Sequence, residues 1–242
     1  MGLWTYTDDC DQAVDHWSGR PEAPNAWSRQ RPEGIPLYRT PFVERFFGRA
    51  HPITPILWFG PLISYGLYTG FAAGRPGATL GWFAAGVLIW TLFEYLLHRF
   101  LFHLIPRTDQ AKRSAFLMHG YHHEFPRDPM RLVAPPVMSW PLGALFAVAY
   151  YLLLGAPDCW QLYAGTAAGY VAYDWIHFYT HHFRPRRGIG RWIRRYHLSH
   201  HFRDKTSHFG ISSPLWDLVF GTFRANQRKP SSQAASTPTT AR

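Results

Sequence analysis

Three imidazoles fall within five residues at His119-Gly-Tyr-His122-His123, and the same H-x-x-H-H spacing recurs at His197-Leu-Ser-His200-His201. Two further groups are His98-Arg-Phe-Leu-Phe-His103 and His177-Phe-Tyr-Thr-His181-His182. On a helix, residues four apart stand about 40° apart and residues three apart about 60° apart on the other side. His119 and His123 therefore share a face that His122 flanks; His197 and His201 share one that His200 flanks, and His177 and His181 share a third. Imidazole suits iron, zinc, copper or nickel. So many imidazoles exceed the four to six ligands of one ion, so two ions are implied and each H-x-x-H-H can serve both.

Some positions stay open on spacing alone. His98 and His103 are five residues apart, about 140° round an ideal helix, so either they straddle the centre or the helix loosens there. His182 lies about 100° from His181, which fits a place behind the ligands as well as a place on the surface. His208 stands alone and reads as a hydrogen-bonded structural or surface residue; His16 and His51 read as spectators. Ligating imidazoles usually donate their remaining N–H to a carboxylate, carbonyl or water. Glu94, four residues before His98, and Asp174, three before His177, are placed for that work, or else for a membrane boundary and a pairing with Arg99.

The elements that carry these groups are apolar. Ile53 to Ala73 has no charge and is about as long as a bilayer is thick; Thr79 to Leu97 is similar, and Met138 to Leu154 and Trp160 to Ile176 are shorter. If all four cross, 24 of the 25 Lys and Arg lie on one side and only Arg75 on the other. The positive-inside rule makes that side, with both termini, cytoplasmic. Twelve of the fourteen histidines lie there in the two motif-bearing segments. The expected fold is all-α and integral to the membrane, with four transmembrane helices and a cytosolic helical cap holding a dimetal centre.

Three regions are expected. Residues 1–50 read as a polar, mostly irregular extension with scattered tryptophans (Trp4, Trp17, Trp27), ending in an aromatic and basic interfacial segment between Pro36 and Arg49. Residues 51–224 form the membrane domain, and 225–242, rich in Ser, Thr, Ala and Pro, read as a disordered tail. The chain carries a net charge of +10, and the sorting of charge points to a membrane surface or an acidic partner, with no nucleic acid. Cys10 and Cys159 match no metal or redox spacing and exclude a disulfide framework. The first residues are polar and acidic, so no secretory signal is expected.

A nearly all-imidazole site gives two divalent ions little compensating charge and leaves positions where oxygen-derived anions bind strongly. At a membrane surface this suits O2 activation and oxidation of a lipid C–H bond. Zinc hydrolysis is open on ligand chemistry alone, and a structural or zinc-storing membrane protein is the reading from another class.

The four histidine groups, together with Glu94-Tyr-Leu-Leu97, Pro126-Arg-Asp128-Pro-Met-Arg131-Leu-Val-Ala-Pro135-Pro136, and Phe209-Gly-Ile-Ser-Ser-Pro-Leu-Trp216-Asp217 through Phe220-Gly-Thr222, resemble the membrane fatty acid hydroxylase superfamily. They are most similar to its fatty acid (sphingolipid) 2-hydroxylases, from about residue 50 to 224. The resemblance implies a histidine-bound dimetal centre, di-iron when active though isolated protein can carry zinc, and O2-dependent hydroxylation at C2 of an acyl chain. Carried over position by position, the ligands are His98, His103, His119, His122, His123, His177, His181, His197, His200 and His201. Eukaryotic relatives often carry an N-terminal cytochrome b5 domain, for which residues 1–50 are too short. A separate electron donor of cytochrome b5 or ferredoxin type is then needed, and Arg186, Arg187, Arg191, Arg194 and Arg195 read as a patch for that donor or for anionic headgroups. The membrane is the bacterial inner membrane or the endoplasmic reticulum. Sterol, carotenoid and ornithine-lipid hydroxylases and acyl desaturases are the neighbouring activities.

Overall fold

The computed structural model describes residues 4–19, 31, 33–103 and 107–224. Trp27 and the 225–242 tail lie outside them. Among the described residues the chain is helical, with a single antiparallel bridge between Tyr6 and Tyr38. In chain order the helices are α1 (Asp8–Gly19), α2 (Pro41–Phe46), α3 (Thr54–Ala72), α4 (Pro76–Leu96), α5 (Asp109–Ala115), α6 (Tyr121–Glu124), α7 (Pro136–Leu154), α8 (Asp158–His182), α9 (Gly188–Phe202) and α10 (Leu215–Val219). Two wider π-helical turns interrupt them, π1 (Leu97–Phe102) after α4 and π2 (Phe116–Gly120) between α5 and α6.

The long helices start where their sequences allow. α3, α4 and α7 carry a proline in the first turn, whose missing N–H would be unbonded there in any case. α8 is the central post, packed by α3, α4 and α7. Its crossing with α4 is close because both sides are glycine. A Cβ on Gly165 would sit 2.0 Å from the Phe83 carbonyl oxygen, and one on Gly86 would sit 2.2 Å from that of Leu162, so the backbones meet only without side chains. Phe59, Trp90, Tyr150, Tyr163 and Tyr170 fill the space beside the crossing. At the far end Arg75 pairs with Asp158 at 2.8 Å, tying the α3–α4 link to the start of α8.

The outer surface is apolar. The stretches Pro76–Phe102 and Pro136–Leu154 are long and apolar enough to cross a membrane, and only 22% and 11% of their most apolar windows are buried. Leu152 and Leu153 are each 77% exposed. A core helix of a soluble protein would bury such residues; these face outward, as lipid-facing helices do.

The N-terminal segment departs from expectation. Residues 8–19 are a helix, because Cys10, Ala13, Val14 and Trp17 recur at helical spacing along an otherwise polar sequence. That stripe packs on Phe116, Tyr121 and Phe125 beside the histidines. Farther on, Arg131 is buried between Glu44, Asp128 and Tyr121 and also donates to the carbonyls of Ile35 and Gly48. The segment before α3 is thus bound onto the histidine-bearing end of the bundle.

Candidate metal centre

Ten histidines from the four sequence groups meet at one end of α8. They form two groups, His98, His103, His119, His123 and His200 in one, and His122, His177, His181, His197 and His201 in the other; within each, all five ligand nitrogens lie within 4.8 Å of one another. In the first group Nε2 of His119 is 2.8 Å from that of His123 and 3.1 Å from that of His98. His103 Nε2 lies 3.3 Å from His98 and 3.0 Å from His200. In the second, His122 Nε2 is 2.8 Å from His177 and 3.0 Å from His201, and His181 is 2.8 Å from His197.

Local structure explains the partition. His119 and His123 turn to one group and His122 to the other, and α9 divides His200 from His197 and His201 in the same way, as residues on adjoining faces must. One turn of chain around residue 120 therefore serves both groups. Gly120 lets it lie against the Trp17 indole, whose ring a Cβ would meet at 2.6 Å. π1 settles the question left by spacing: the helix loosens. In an i to i+5 turn, residues five apart point much nearer one direction than in an α-helix, and His98 and His103 come to the same group.

Two of the nitrogens behind the ring face are held by carbonyls. His98 Nδ1 donates to Phe209 O at 2.5 Å and His200 Nδ1 to Ser207 O at 2.8 Å. With Nδ1 protonated, each Nε2 presents a lone pair to its neighbours. Burial, with adjacent imidazoles adding to it, holds His119, His122, His123, His197, His200 and His201 well below the ordinary imidazole value. They are neutral near pH 7. Convergent neutral imidazoles cannot all satisfy one another, since each has one N–H and His98 and His200 have already given theirs to carbonyls. A cation at each focus fits: imidazoles about 2.0–2.1 Å from a common ion stand about 3 Å apart when at right angles.

Two carboxylates organise the carbonyl loop. Glu94 accepts from the backbone N–H of Ile211 at 2.5 Å and Ser212 at 2.8 Å and from the Ser212 hydroxyl at 2.6 Å. It therefore anchors the loop that presents the Phe209 carbonyl, a third place beside the two that spacing left open, a bond to His98 or a pairing with Arg99 at the membrane boundary. The loop's own carbonyl has taken the imidazole N–H instead. Asp217, 0% exposed, accepts from the N–H of Phe209 and Gly210, the Thr222 hydroxyl and the Tyr196 hydroxyl. Sequence reasoning gave Asp217 no role; a lone acid between Trp216 and Leu218 was the available signal. Asp174 is buried, and its Oδ2 has no hydrogen-bond partner among the described residues.

The remaining histidines lie outside both groups. His182 stacks on Phe178. His208 contacts the Ser207 hydroxyl and the Arg224 carbonyl, a structural place. His16 Nδ1 lies 3.9 Å from Glu124, and His51 accepts from Ile53 N–H. Arg186, Arg187, Arg191 and Arg195 are exposed around the start of α9, with Arg194 half-buried among them.

A cavity of about 610 Å³ opens beside the histidines. His119, His122 and His177 reach its wall, so both groups adjoin it, and Glu94 and Asp174 line it too. Most of the rest is apolar: Trp90, Leu97, Leu101 and Leu142 from the bundle, Leu37, Phe47 and Ala50 from the N-terminal segment. The arrangement can bring an apolar chain against two adjacent ion sites.

The chain matches the family model described as fatty acid hydroxylase over residues 83–222. It is 37% identical to a dihydroceramide fatty acyl 2-hydroxylase of Arabidopsis thaliana, across 78% of this chain and 80% of that one. It is 35% identical to the fatty acid 2-hydroxylase of Rattus norvegicus, across 92% of this chain and 63% of the relative, and 37% identical to the ceramide very long chain fatty acid hydroxylase of Saccharomyces cerevisiae, across 75% and 48%. The matches thus leave more than a third of the rat protein and half of the yeast protein uncovered. A solved structure of full-length scs7p, with only the hydroxylase domain visible, superposes with a TM-score of 0.75 at 33% identity, covering 89% of this chain and 79% of that one.

Proposed function

The chain belongs to the fatty acid hydroxylase family, and on that premise we propose that it inserts one oxygen atom from O2 at C2 of a fatty acid or an N-acyl lipid of ceramide type. The observation that carries this reading is the meeting of two five-imidazole groups at one apolar cavity. Two iron ions, when bound, supply the reduction of O2 and the oxidation of the C–H bond; zinc can occupy the same imidazoles in isolated protein. The chain supplies the rest. His98, His103, His119, His123 and His200 hold one ion and His122, His177, His181, His197 and His201 the other. Phe209 and Ser207 fix the tautomers of His98 and His200, and Glu94 steadies the loop that does so. Asp174 stands behind the ligands, and His182 follows His181 with its ring laid on Phe178. The cavity walls exclude water and lay the acyl chain past the foci.

Four crossings, α3, α4, α7 and α8, with the histidine end and both termini on the cytoplasmic side, agree with the outward apolar surface and the charge sorting. Residues 51–224 then form the membrane hydroxylase domain. The histidines sit at headgroup depth, so a carbon next to the polar end of a lipid reaches them with little displacement, which favours C2. The reaction needs an electron donor, of cytochrome b5 or ferredoxin type.

Mass spectrometry of hydrolysed lipids from cells expressing the chain tests the proposal. Wild type yields acids with oxygen at C2. His122→Ala loses the product, whereas His182→Ala, which removes a ring stacked on Phe178 and outside both imidazole groups, keeps it within about twofold. Oxygen or unsaturation elsewhere moves the assignment to a sterol, carotenoid or ornithine-lipid hydroxylase or to a desaturase; bound zinc with no new lipid moves it to a zinc-binding protein.

A further inference from the structure

Away from the cavity, a second hollow of about 340 Å³ lies on the outer side of α9, lined by Arg191, Trp192, Arg195, Tyr196, His208 and Arg224 among others. Its surroundings are strongly cationic. From Arg184 to Arg203 the sequence has seven arginines and no acid, and Arg191, Arg195 and Arg224 are exposed at the hollow itself. Among the described residues, only Arg224 of these three has a close acidic partner, Asp204 at 3.4 Å. Its floor is aromatic: Trp192 stacks on Tyr196 at 5.3 Å, Tyr196 on Phe223 at 6.0 Å, and His208 meets the Tyr196 edge at 4.7 Å.

The floor touches both imidazole groups through single links. His208 is one peptide bond from Ser207, whose carbonyl accepts from His200 Nδ1 at 2.8 Å, and His200 belongs to the first group. Tyr196 is one peptide bond from His197, which belongs to the second. Tyr196 is also fixed by its 2.5 Å bond to Asp217, and Asp217 holds the Phe209 segment whose carbonyl accepts from His98.

We infer that this hollow is the docking surface for an acidic one-electron carrier protein, with Arg191, Arg195 and Arg224 as its cationic rim and Trp192, Tyr196 and His208 as the contact through which electrons enter. The inference rests on the hydroxylase reading. Hydroxylation breaks one C–H bond, forms one C–O bond and releases the second oxygen atom as water. Reducing O2 fully takes four electrons; the C–H bond supplies two, and two more, with two protons from water, come from outside. A carrier delivers them singly in two dockings. A negative partner face is steered to the rim over a Debye length of about 10 Å at 0.1 M salt, and it comes to rest over the short routes inward.

The test uses the full chain in nanodiscs of phosphatidylcholine, titrated with fluorescently labelled soluble cytochrome b5 haem domain and, separately, plant-type ferredoxin. Wild type binds at least one carrier with an affinity that falls as salt rises. Arg191→Glu with Arg195→Glu weakens binding at least tenfold, Arg191→Gln with Arg195→Gln weakens it less, and Arg127→Glu, an exposed charge reversal elsewhere, changes it less than twofold. Equal metal content of the variants shows that the fold survives. Absence of binding by wild type, or equal weakening by Arg127→Glu, overturns the inference. So does a groove variant that keeps its carrier but loses affinity for phosphatidylserine vesicles, since the rim would then serve lipid headgroups. Because binding is read without turnover, failure here is separate from failure of the lipid product assay.

Discussion

Glu94 shows how much one side chain does without touching a ligand. It is 3% exposed and spends both oxygens on the backbone and hydroxyl of residues 211–212. The Phe209 carbonyl, which orients His98, stands at the start of that loop. Glu94→Ala leaves three donors unsatisfied and lets His98 turn. Metal competition titrations are expected to show affinity at the His98 group falling about 10–100-fold, the usual effect of removing an outer partner. An unchanged affinity would mean that Asp217 alone fixes the loop. The histidines themselves were legible in the sequence because spacing on a helix decides direction, and His122 and His200 parted from their neighbours as spacing required. The carbonyls of Ser207 and Phe209 were not, since every residue has one and only the folded loop selects which faces a ring.

At the scale of elements, π1 is the feature that spacing left open. Its residues Leu97–Phe102 carry His98 at one end and deliver His103, the next residue, to the same focus. Hydrophobic pattern has a period of 3.6 and gives no sign of one wider turn. Deleting Phe100, which is 58% exposed, restores an ordinary helical turn and rotates His103 by about 100°. Bound metal per chain is expected to fall by about half and product to disappear, while the protein still enters the membrane; full metal content would show that His103 is dispensable. α1 escaped sequence reading for a related reason: its stripe of Cys10, Ala13, Val14 and Trp17 is narrow and set among acids, so composition outweighed period.

At the scale of the whole molecule, the bundle is a rigid support whose central post reaches from Asp158 to the second histidine group. The α4–α8 crossing is the joint on which that support depends. Gly165→Leu forces the helices apart and is expected to cost about 1–3 kcal/mol by overpacking, read as a lower melting temperature in detergent; a surface change such as Leu152→Ala should move it little. The apolar runs and the charge sorting made the bundle legible, whereas the binding of the N-terminal segment through Arg131 depends on partners more than 80 residues apart in sequence. The turn at residues 119–123 carries a last consequence. His119 and His123 belong to one group and His122 to the other, so on the proposed two-ion reading the first ion to arrive would fix a backbone turn that the second also needs. Loading is then cooperative: a titration of metal-free protein with a spectroscopically visible ion should be sigmoidal, and chains holding a single ion should be scarce at half saturation.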